Sequence, residues 1–135
     1  MSEHVQNDEL RPIEVLYDFA AEVDRPGRWV VRSDAEFHDM WLRLIPPEVA
    51  PPQVDFATEM LVCATQGICG GSWPRLSFDG YVAEPEAVRV QVRITGPPAG
   101  YGSDSAGTFQ FLLVGRMPRH DARVEFVDRV VREGN

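Results

Sequence analysis

Hydrophobic and polar positions alternate at period two over several short stretches, and only one stretch changes to a helical period. Ile13, Val15, Tyr17 and Phe19 share a parity, which predicts a strand with one buried face. Trp29–Arg32 reads as a short second strand and hairpin partner of the first, across the turn Asp24-Arg25-Pro26-Gly27. Ala87–Ile94 alternates most regularly, with Val88, Val90, Val92 and Ile94 inward and Arg89 and Arg93 outward. Further strands are expected at Glu59–Gln66, Ser72–Tyr81, Thr108–Gly115 and Arg123–Val127, with Pro74 placing its strand at an edge or a bulge.

Between Ser33 and Ile45 the spacing becomes three and four, aligning Phe37, Met40, Trp41, Leu44 and Ile45 on one face of a helix. Ser33-Asp34-Ala35-Glu36 forms a capping box at its start, and Pro46-Pro47 stops it. Connections are of hairpin length and strands do not alternate with helices. The expected class is therefore α+β: an antiparallel sheet of six to seven short strands with one main amphipathic helix packed on it. Residues 1–12 read as a flexible polar tail and residues 13–130 as a single domain.

Composition narrows the function classes. The chain has 135 residues, enough to bury a core without a disulfide or metal. Its net charge of −8 opposes binding to nucleic acid or to an anionic membrane surface. All 13 basic residues are arginine, which a GC-rich genome explains. No stretch approaches the length of a membrane span, and the acidic start lacks the pattern of a signal peptide, so the expected location is cytoplasmic and soluble.

Candidate chemistry is sparse. His4, His38 and His120 have no metal-ligand spacing, and no metal or cofactor is expected. Gly70-Gly71-Ser72-Trp73 lacks the strand–turn–helix pattern of a nucleophile elbow, and the glycines at 67, 70 and 71 lack the lysine and helix of a phosphate loop. They suit positive φ in a hairpin or bulge instead. Cys63 lies in an apolar run and Cys69 in a glycine-rich turn. Their spacing fits no redox or zinc motif, and whether they pair is open at the level of sequence. Asp55, between Val54 and Phe56, is placed to cap a turn. Trp73 and Tyr101 flank loops rich in glycine and proline, where amphipathic aromatics serve as binding anchors, with Ser72 beside them.

The order of these features resembles the C-terminal domain of the PrcB family, named after a subunit of a bacterial protease complex. The residues that carry the resemblance are the Ser-Asp-Ala-Glu-Phe helix with Trp41, Val54-Asp55-Phe56 before a hydrophobic strand, and Gly67 with Gly70-Gly71 ahead of Ser72-Trp73. The alternating strand at Val88–Ile94 and the Pro97-Pro98-Ala99-Gly100 loop follow. It spans Trp29–Val127. Where the family often carries a proline early in the penultimate strand, this chain has Gln110-Phe111-Leu112. Family members are often exported.

The resemblance implies a non-enzymatic accessory domain that binds another protein, a protease among the candidates, and transfers no catalytic residues. Two other readings stand beside it. One is a small-ligand or enzymatic domain with Asp55, Cys69 or Ser72 in a pocket between helix and sheet; the other is a structural domain that homodimerises through edge strands.

Overall fold

The computed structural model of the chain describes residues 9–70, 73–97 and 108–132. The fold is mostly β with one helix. The elements run β1 (Glu14–Ala20), β2 (Pro26–Val31), α1 (Asp34–Leu44), β3 (Glu59–Gln66), β4 (Ile68–Gly70), β5 (Arg75–Ala83), β6 (Ala87–Gly96), β7 (Thr108–Pro118) and β8 (Arg123–Arg132).

The strands form two sheets, not the single antiparallel sheet the pattern suggests. One has the order β1-β7-β3-β2 with β4 also on β7, and the other has the order β5-β6-β8. The β6–β8 pair is parallel. The short segment from Pro118 to Arg123 carries the chain from one sheet into the other, so a connection of hairpin length joins strands that do not pair. For the same reason β1 and β2 are not a hairpin: β1 pairs with β7 and β2 with β3. Pro26 and Gly27, expected in a turn, are the first residues of β2, opposite Gln66 and Thr65.

Burial on both faces of the larger sheet makes three layers. Leu61 and Cys63 of β3, with Leu112 and Val114 of β7, face the helix and pack with Phe37, Met40 and Trp41. The intervening residues Met60, Val62 and Ala64 face the smaller sheet and meet Val88, Val90 and Val92. A strand buried on both faces reads as a continuous apolar run, which is why Met60–Ala64 shows no alternation. On α1, Ser33 is the N-cap and accepts from the Glu36 amide at 3.2 Å, while Glu36 Oε1 accepts from the Arg32 amide. The Ile45 amide closes the last turn on Trp41 O.

Three bulges set which side chains face where. In β1 the register shifts between Val15 and Tyr17, so the parity expected for Ile13–Phe19 breaks. Tyr17 is buried, but Val15 and Phe19 are 50% and 65% exposed. In β5 the extra residue is Asp79, followed by Gly80 at φ +142°. Gly80 lies against Arg11, which exchanges two backbone hydrogen bonds of 2.9 Å with Tyr81. Within the segment read as a tail, Arg11 is thus held to β5. The third bulge, between β3 and β4, builds the site.

Candidate functional site

Ala64 pairs with Leu113 and Ile68 pairs with Gln110, so residues 65–67 oppose only two residues of β7. The extra residue bends the strand and reverses its inward parity. Thr65 holds the bend from inside: its hydroxyl donates to Phe111 O at 2.7 Å and accepts from the Gly67 amide at 3.0 Å. Gly67 has φ +74°, and a Cβ there would lie 2.8 Å from the backbone of Arg25. Only glycine combines that conformation with that approach. Arg28 braces the outside, donating to Thr65 O and to Gln66 Oε1.

The reversal separates the two cysteines. In an unbroken strand Cys63 and Cys69, six positions apart, would share a face. Here Cys63 packs on the helix side, while Cys69 lines a cavity on the opposite face, between the sheets. Both thiols are free and buried.

That cavity has a volume of 290 Å³. Its apolar wall includes Leu76 of β5 and Phe111 and Leu113 of β7. Asp18, Gln66, Cys69 and Arg75 supply the polar groups. Desolvation raises the Asp18 carboxyl above the ordinary range, and burial likewise pushes the Cys69 thiol up. A thiol held above its usual value is protonated near neutrality and is a poor nucleophile. The Arg75 guanidinium lies 4.4 Å from the centroid of the Trp73 ring, a cation–π contact. Phe111 stacks on Phe109 at 5.8 Å, and Phe109 is 40% exposed. Apolar surface therefore runs from the cavity wall out to solvent.

The residues named from sequence divide into separate places. Trp73 stands beside this cavity through Arg75, and its bond to Pro74 is cis. Tyr101, Ser72 and Gly71 lie outside the described residues. Gly67 is the bulge glycine, and Gly70 ends β4 opposite Thr108. Asp55 lies on the helix side of the molecule. Its carboxylate accepts from the Ala57 amide at 3.0 Å, its carbonyl accepts from the Thr58 and Glu59 amides, and Phe56 packs on Phe37.

Asp55 lines a groove with Pro51, Pro52 and His38, whereas Cys69 lines the cavity between the sheets, so the two are not brought together in a pocket between helix and sheet. No group of three His, Cys, Asp or Glu side chains suited to a metal occurs among the described residues. No helix among them is long and apolar enough to cross a membrane.

Asp18, Gln66, Arg75 and Phe111 were not singled out by sequence. A polar residue alternating with apolar ones is ordinarily read as facing solvent, and only the second sheet turns that face of β1 and β7 into a cavity wall. The one local signal is Gly67, which marks where a strand bends.

Comparison of the chain with family models, with curated proteins and with solved structures gives no match.

Proposed function

We propose that the chain is a protein-binding module that receives an apolar side chain of its partner in the cavity between the sheets. The observation that carries this is the continuity of the cavity wall with exposed aromatic surface, through Phe111 and Phe109. Interface anchors are typically aromatic or arginine side chains beside a desolvated pocket, and Trp73 with Arg75 supplies both kinds. At 290 Å³ the cavity is at the lower end of the roughly 300–1,000 Å³ of small-molecule sites, a size that one or two side chains of a peptide also fill. Burial pushes the Cys69 thiol up, which supports binding over nucleophilic chemistry at this cavity. The resemblance to the PrcB family supports the same accessory role and makes a protease a candidate partner.

The test is partner capture from native lysate by cross-linking, followed by affinity measurement with the purified partner. Trp73→Ala/Arg75→Ala removes the rim and Cys69→Phe fills the cavity. Each should weaken binding about tenfold or more, the effect of losing an anchor. Unchanged affinity in both folded variants would exclude the cavity as the binding site.

A further inference from the structure

Strand β8 is an edge that carries charge but no proline, glycine or bulge. It runs ten residues and pairs with β6 in unbroken register. Among the described residues no strand pairs with its other side. Natural edges of this length are normally shortened, bulged, interrupted by proline, covered or charged; of these devices β8 has charge, with Asp128 held by Arg28 of β2 at 3.3 Å. Val130, on this strand, is 75% exposed.

We propose that β8 pairs antiparallel with β8 of a second copy of this chain, about a two-fold axis at Val127. The charge pattern selects that register. Across a two-fold axis, residues directly opposite must have the same parity, so the axis passes through a residue. An axis at Glu125, Asp128 or Arg129 sets that residue against its own copy, and an axis at Phe126 sets Arg123 against Arg129. Only the axis at Val127, among residues 125–129, avoids every like-charge pair.

That register places Glu125 opposite Arg129 twice, Val124 opposite the exposed Val130, and Phe126 opposite Asp128. Glu125 now pairs with Arg123 at 2.9 Å, and Arg129 is oriented by Asp79 at 2.9 Å. Arg129 is thus engaged by its own Asp79, and Glu125 of the copy would add a second carboxylate to it on the outer face of the sheet. The resulting sheet has six strands, and the β8 edge disappears. This inference is independent of the cavity, which lies against β1, β3–β5 and β7.

Sedimentation equilibrium across the micromolar range should give a dimer. Glu125→Arg sets arginine opposite arginine at two positions and should weaken it about tenfold or more. Val127→Cys provides a second test, which stands even if Glu125→Arg fails to fold. Opposed residues have Cα atoms about 4.5–5.5 Å apart, within reach of a disulfide, so mild oxidation should cross-link Val127→Cys and leave Val130→Cys, which faces Val124, unlinked. A wild-type chain that stays monomeric throughout, or a dimer that neither weakens with Glu125→Arg nor links through Val127→Cys, would overturn the proposal. So would a different protein's strand found on β8 in place of a second copy.

Discussion

Asp79 is the extra residue of the bulge in β5, and the bulge gives it three donors at once. Its side chain is only 4% exposed and accepts from Gln91 Nε2 and Arg93 Nε at 2.8 Å and from Arg129 Nε at 2.9 Å. Burial alone would raise this carboxyl, but the hydrogen bonds from Arg129, Gln91 and Arg93 outweigh it and hold it below its ordinary value. A carboxyl lowered in the folded state contributes stability above the unfolded-state value, and the contribution is lost as pH falls through the folded value. Asp79→Asn should thus cost about 1–3 kcal/mol near neutrality, a range reduced because both guanidiniums are partly exposed. The difference between wild type and variant should shrink on acidification through the carboxylate range. Urea unfolding of both proteins at several pH values measures this, and a difference that grows towards low pH would contradict it.

At the scale of the element, each bulge decides which face of a strand is buried. For the β3–β4 bulge the requirements are local: a positive φ at Gly67 and the Thr65 hydroxyl bridging Phe111 O and the Gly67 amide. Gly67→Ala should cost about 1–3 kcal/mol through strain and the clash with Arg25. Thr65→Val keeps the shape but removes the hydroxyl from the Phe111 carbonyl and the buried Gly67 amide, and should cost a similar amount. Since both act on one bend, the double variant should fall well short of the sum in denaturant melts. The same bulges set the limits of what the sequence reveals. Spacing locates α1, β3 and β6 closely, because burial is continuous or regularly periodic across them. It fails between Val15 and Tyr17 and at Cys69, because one inserted residue inverts every later parity while leaving the composition unchanged; Phe19 keeps the parity of Tyr17 and is exposed near the end of an edge strand. Gly67 is visible in the sequence as a bend. That the bend turns Gln66 and Cys69 towards a cavity, where Arg75 of β5 meets them, depends on the second sheet.

Pairing between distant strands is the part of the whole molecule that local pattern does not carry. Hairpin-length connections led to an antiparallel sheet, yet β7 and β8 belong to different sheets, and β8 reaches β6 in parallel. The result is two apolar clusters on opposite faces of the larger sheet, one under α1 and one between the sheets. β3 and β7 contribute to both: Leu61 and Leu112 to the first, Met60 and Met117 to the second. Neither cluster can be lost without removing one covered face from the same two central strands, so the three layers should unfold as one cooperative unit. Phe37→Ala empties part of the helix layer and should cost about 3–5 kcal/mol, and Val90→Ala, on the far sheet, about 1–3 kcal/mol. With no shared side-chain partners the two losses should add to within about 0.5 kcal/mol. Fluorescence of Trp41, which packs against Phe37 at 5.5 Å, reports the helix layer once Trp29 and Trp73 are replaced by phenylalanine, and methyl resonances of Val92, which both variants retain, report the other. In wild type and in both variants the two signals should share one midpoint. If Phe37→Ala shifted only the Trp41 transition, the helix layer would be a separate unit and the central strands would stand on the sandwich alone.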